Sequence, residues 1–181
     1  ERSLQMLEKY ASKFELDQKS GIEISEAEPR VSDTIPIASA IGQGTHNYTT
    51  TQLARYVSAL ASQGTIYDLS LLQQVTDPDG NVVDMGEDFG PTVISTLDTI
   101  PQWVWDDVHT GMQNVIRESN AGVFAGCPVE VYGKTGTAQE DRTRANHGLF
   151  VGFTHYETNS DIAMAIRIPN GYSSTNAVYV A

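Results

Sequence analysis

The chain has 181 residues, near the size of one domain of about 150, long enough to bury roughly 70% of its unfolded surface around one main core. Hydrophobic residues make up 40%, which excludes disorder as a global description. The 11 Lys and Arg against 23 Asp and Glu leave a net charge of −12, which repels phosphate backbones and anionic lipid and excludes nucleic acid as a partner.

Leu4, Leu7, Tyr10, Ala11 and Phe14 recur at three- and four-residue intervals and predict an amphipathic helix over residues 1–14. It opens without a Ser, Thr, Asp or Asn cap, so the start at Glu1 reads as a cut through a longer chain. Residues 15–37, rich in charge and carrying Pro29 and Pro36, are expected to run over the surface. Gly42-Gln43-Gly44 reads as a tight turn and not a phosphate cradle, because no strand precedes it and no Gly-Lys-Ser/Thr follows. Thr49 and Gln52 have capping-box spacing; Leu53, Tyr56, Val57, Leu60 and Ala61 then carry a helix along one face to Gly64, its expected closing residue.

Asp77-Pro78-Asp79-Gly80, between the apolar runs 71–75 and 82–83, predicts a hairpin within an acidic peripheral lobe over 66–100. Asp77, Asp79, Asn81 and Asp88 have the spacing of a calcium loop, but its glycine is misplaced for the sharp turn, so no calcium site is expected. Thr99 is expected to cap a helix starting at Pro101, with Val104, Val108, Met112, Val115 and Ile116 as its buried face and Trp103 and Trp105 as packing residues. Cys127, the only cysteine, permits no internal disulfide; with no basic neighbour to activate its thiol it reads as a buried small apolar residue. Residues 129–140, 147–156 and 161–168 predict three consecutive antiparallel strands, and Ser173-Ser174 a cap for a last helix. Helices followed by such strands define an α+β fold, an antiparallel β-sheet with packed helices.

The residues that carry chemistry are Lys134-Thr135-Gly136-Thr137-Ala138-Gln139. A strand has no structural need for a cation, two hydroxyls and a glycine in succession. Alternation puts Thr135 and Thr137 on one face, where two hydroxyls can bind an anionic, extended ligand, and Lys134 on the other. Gly136 lets a ligand backbone approach closely, and the Thr137 N–H can serve as an oxyanion donor. Arg144 and Asn146 lie in the following connection, where loop residues overhang a cleft. His46, His109, His147 and His155 lack metal-ligand spacing, so no metal is expected, and His147 reads as a rim or packing residue.

Lys134 to Gln139, with Gly148-Leu149-Phe150-Val151-Gly152-Phe153, resembles the third active-site motif and next strand of penicillin-binding protein transpeptidase domains. Phe14-Glu15-Leu16-Asp17, Ser20-Gly21-Ile22, Ile41-Gly42-Gln43-Gly44, Thr50-Thr51-Gln52-Leu53-Ala54 with Gly64, and Gly111-Met112 with Val115 resemble its intervening segments in order, nearest to class B enzymes. The departures are specific. The chain has no Ser-x-x-Lys, and its one Ser-x-Asn, Ser174-Thr175-Asn176, follows the Lys-Thr-Gly strand and reads as a helix cap. Glu15 stands where the family often has glycine.

The resemblance implies that residues 1–181 are the C-terminal part of a serine D,D-transpeptidase that crosslinks peptidoglycan, with Lys134 and Thr137 in catalytic roles. Thr135, Gly136, Thr137 and Gln139 would then bind the D-Ala-D-Ala end of a stem peptide, or a β-lactam. It implies no cofactor, cell-wall synthesis proteins as partners, and a site on the extracytoplasmic face of the bacterial membrane, anchored by a segment outside these residues. A β-lactam sensor or inactive homologue, and a serine β-lactamase, are the alternatives. Apolar surface left by the missing portion is expected to drive self-association of the chain in isolation.

Overall fold

The computed structural model describes residues 2–86, 89–155 and 162–181. In chain order the elements are helix α1 (Arg2–Lys13), short helix α2 (Pro36–Ala40), helix α3 (Thr50–Ala61), strands β1 (Thr65–Asp68) and β2 (Thr92–Thr96), helix α4 (Gln102–Asn114), strands β3 (Glu130–Ala138), β4 (His147–His155) and β5 (Ala163–Ile168), and helix α5 (Ser174–Val180). The predicted capping box starts α3: Thr49 accepts the Gln52 N–H and the Gln52 side chain returns to the Thr49 N–H. Gly64 closes the helix, its N–H reaching the Ala59 carbonyl at 2.8 Å, but Gln63 also takes a left-handed φ of 55°. Glu15 adopts a φ of 55° as α1 ends, the conformation that a glycine there would take without strain.

β3, β4 and β5 form an antiparallel sheet in that order, with Ala138 opposite His147 and Glu130 opposite His155. The sheet is covered on both faces. α3 packs across β4 and β5 and α4 against β3, while α5 packs on the other face. Alternation along β4 therefore sends Phe153 into a core with Val57, Leu60, Ile66, Trp105 and Met112, and Phe150 into a second with Ile116, Val131, Ala177 and Val178. Burial on both sides is why β4 reads as a nearly continuous apolar run. Gly148 is required by close approach, because a Cβ there would sit 2.4 Å from the Ser173 carbonyl oxygen at the start of α5.

Several expectations are corrected. Thr99 does not cap α4: the cap position is Pro101, with no side-chain hydrogen bond, and the helix ends in a π-turn over Val115–Ser119. Trp103 is 66% exposed while Trp105, two residues on and on a different helix face, is buried. Cys127 is exposed. The 77–80 turn forms, with one bridge between Thr76 and Val82, but the paired strands of that region are β1 and β2, which lie outside it. The Asp77 carboxylate accepts hydrogen bonds from the Asp79 and Asn81 N–H groups, so it is spent on the turn; Asp88 of the calcium-like spacing lies outside the described residues, as do Glu1 and the outer ends, Tyr156 and Asp161, of two predicted strands.

Candidate active site

β3 is an edge strand of its sheet, and its sequence decides what that edge offers. Lys134 pairs with Val151, Thr135 with Phe150, Gly136 with Leu149 and Thr137 with Gly148, so the two threonines share one face and Lys134 takes the other, as alternation requires. Lys134 is exposed and its Nζ donates to the Thr135 carbonyl at 2.6 Å. Thr137 is exposed, and its Oγ1 accepts the Ser174 N–H from the first turn of α5 at 3.2 Å. That contact uses an acceptor lone pair and leaves the hydroxyl proton free to be donated to an anionic ligand. A Cβ on Gly136 would meet nothing closer than Leu149 Cβ, at the ordinary distance of 3.4 Å. The fold itself does not demand glycine there.

The other side of β3 is met by the loop 42–49. Gln43 Nε2 donates to the Thr137 carbonyl at 3.4 Å, and the Gln139 N–H donates to Gln43 Oε1 at 3.3 Å. These two long bonds show that the Thr137 carbonyl, and with it the Thr137 N–H, points away from β4 toward the loop that carries Gln43. Gln43 thus marks where a peptide group of an added strand would sit. Between this loop and β3 lies a polar cleft of about 630 Å³, lined by Gln43, His46, Tyr48, Gln139 and Arg167 among others. The Tyr48 phenol is pushed up to about 12 by burial, with Asp17 adding to the effect, so it remains a neutral hydroxyl.

The C-terminal end of β3 is pinned by contacts that span the hairpin. His147, only 8% exposed, accepts the Asn170 N–H on Nδ1 at 2.9 Å and donates from Nε2 to Glu140 Oε2 at 2.5 Å. The two partners fix the Nε2–H tautomer. Arg167 of β5 reaches the same Glu140 oxygen at 3.4 Å. The hydrogen bond from His147, aided by Arg167 and Arg144, holds the Glu140 carboxyl below its usual range. His147 therefore lines the cleft as a buried residue, as expected, and its two hydrogen bonds also make it a polar anchor of the hairpin. Lys134, Thr135, Gly136 and Thr137 are brought together on β3, Gln139 follows one residue past its end, and Arg144 lines the adjoining cleft. Glu140 and Arg167 are not marked by the sequence, since no spacing links positions so far apart, and Gln43 is read there only as part of a tight turn and of a family-like segment.

The penicillin binding protein transpeptidase domain matches residues 3–180 of this chain, which carry the antiparallel sheet, its packed helices and the Lys-Thr-Gly-Thr edge strand. The chain belongs to that family. It is 26% identical over 166 residues to the peptidoglycan D,D-transpeptidase MrdA of Haemophilus influenzae, covering 82% of this chain and 24% of that protein. It is 27% identical over 190 residues to penicillin-binding protein 2A of Bacillus subtilis, covering 94% and 26%. The chain thus spans about a quarter of the length of these relatives. Among solved structures, the D,D-transpeptidase domain of a peptidoglycan glycosyltransferase from Eggerthella lenta superposes with a TM-score of 0.78 at 18% identity, over 98% of this chain and 46% of that one, a likeness of fold.

Proposed function

We propose that this chain is the C-terminal part of a serine D,D-transpeptidase domain and supplies one wall of its peptide-binding cleft. The observation that carries the reading is the open edge of β3, where Thr137 presents its N–H, carbonyl and hydroxyl together beside a glycine that the packing does not require. Thr135 and Thr137 hold the terminal carboxylate of a D-Ala-D-Ala stem or the carboxylate of a β-lactam, Gly136 admits the ligand backbone, and Gln139 extends the edge. The Thr137 N–H stabilises the developing oxyanion, and Lys134 contributes positive potential and tunes the proton-shuttling serine. The nucleophilic serine and its lysine lie outside these 181 residues, which contain no Ser-x-x-Lys.

In the reaction, the serine oxygen bonds to the penultimate D-alanine carbonyl carbon as the C–N bond to the terminal D-alanine breaks, and the serine proton passes to the leaving amine. An amine of a neighbouring stem then bonds to the same carbon, the serine ester breaks, and the amine proton returns to serine. The work is placed on the extracytoplasmic face of a bacterial membrane, among cell-wall synthesis proteins, in maintaining cell shape or in division. Ile37, Ile41, Trp103 and Tyr172 are exposed by 86, 75, 66 and 77%, and self-association of the isolated chain follows, to be read as a dimer in light scattering.

Intact mass after incubation with penicillin tests the function. The complete transpeptidase domain gains one penicillin and this chain alone gains none. No adduct on the complete domain favours the inactive-homologue reading, and an adduct on this chain alone places the nucleophile within it.

A further inference from the structure

We propose that the cleft at the mouth of the β3–β4 hairpin is a carboxylate subsite, in which Arg144 and Arg167 take a side-chain carboxylate of the stem peptide bound along β3. The inference rests on the reading of β3 as the ligand wall. The cleft, about 790 Å³, is lined by Arg142, Arg144 and Arg167 together with Glu140, Asp141 and His147. Three of the 11 cations of a chain with net charge −12 are gathered there, so it is a local exception to a field that otherwise repels anions.

The two acids are already committed. Glu140 Oε2 accepts from His147 and Arg167, and Asp141 Oδ1 accepts the Thr143 N–H and hydroxyl at 2.8 Å each, leaving Asp141 Oδ2 4.0 Å from Arg144 Nε. Arg167 spends one Nη2 contact on Glu140, while a guanidinium offers five N–H donors in a planar fork that matches a carboxylate. Its place is fixed by register, since it pairs with Leu149 in the sheet. Glu140, His147 and Arg167 form the wall shared with the neighbouring cleft that contains Gln43 and Gln139. A peptide running along β3 past Gln139 therefore meets Arg167 first and Arg144 beyond it. Because the ligand is a peptide, the anion it brings to this point is a side-chain carboxylate.

The test uses the complete transpeptidase domain and two D-Ala-D-Ala donor peptides that differ only in carrying a side-chain carboxylate or its carboxamide. The readout is the ratio of kcat/KM for the carboxylate donor over the carboxamide donor. The unmodified domain favours the carboxylate, the ratio falls roughly fivefold or more in Arg144→Ala and in Arg167→Gln, and it shrinks as salt is raised. A ratio unchanged in both variants overturns the subsite while leaving the β3 reading intact. Absence of any penicillin adduct on the unmodified domain overturns the β3 reading, and this inference with it.

Discussion

α1 and α3 are both 12-residue helices with a clear apolar face, and they differ in what covers that face. α3 buries Gln52, Arg55, Val57, Ala59 and Leu60 against the sheet and the preceding loop. α1 buries only Ala11, packs against the short α2, and leaves Met6 and Tyr10 43 and 48% exposed. Periodicity specifies a helix and the side it would bury; a partner has to be supplied from elsewhere in the chain. For α3 the loop 15–28 does this through polar contacts: fully buried Arg55 donates to the carbonyls of Lys19 at 2.6 Å, of Gln18 at 3.0 Å and of Glu15, and reaches Asp68 at 3.4 Å. Burial pulls the Arg55 pKa down and Asp68 opposes it.

The sharpest way to break this contrast is Arg55→Ala. It strips several buried carbonyls of their donor, and the expected loss is about 3 kcal/mol or more in urea unfolding, with Arg55→Lys failing to restore it because an ammonium lacks the fork. A loss under about 1 kcal/mol would mean that the loop holds to α3 without it.

A second handle is Glu26, which joins the loop to the first turn of α3. It accepts from the Ser20 N–H and hydroxyl at 2.7 and 2.9 Å and from the Thr49 and Thr51 hydroxyls. Burial acts to raise its pKa, but the hydrogen bonds from Thr49, Thr51 and Ser20 outweigh it and the net shift is downward from 4.5. A carboxyl with a depressed folded pKa contributes stability that is complete above its unfolded pKa and lost as pH falls through the folded one. Stability is therefore expected to fall below about pH 4.5, with Glu26→Gln flattening that part of the profile; an unchanged acid limb removes Glu26 from the account. The smallest effect is on α1, where Leu7→Ala is expected to cost less than about 1 kcal/mol by the same measurement.

Legibility followed the same division. The box of Thr49 and Gln52, the three strand runs and the Ser173 cap, whose side chain accepts the Thr175 N–H, rest on local patterns, and each is present in the structure. Lys134, Thr135, Gly136 and Thr137 stand out in the sequence because a strand does not need them, and they lie on β3 as alternation predicts. What escaped depends on contacts between distant positions. Gln43 meets β3 across 94 and 96 residues, and His147 is anchored by Glu140 and Asn170 from either side of its strand. β1 and β2 are short, with a register shift between Ile66 and Tyr67, and give only a brief alternation to read. Trp103 and Cys127 mislead through average burial preferences, which the position on the helix and in the loop override.

The central claim is that the open edge of β3 is the wall on which the ligand lies. Amide hydrogen exchange at single-residue resolution, on the complete transpeptidase domain before and after acylation by penicillin, tests it most directly. The account predicts that exchange slows at the Thr137 N–H, while Gly136 and Ala138, whose amides face β4, are unaffected. Unchanged exchange at Thr137 in fully acylated protein would contradict it.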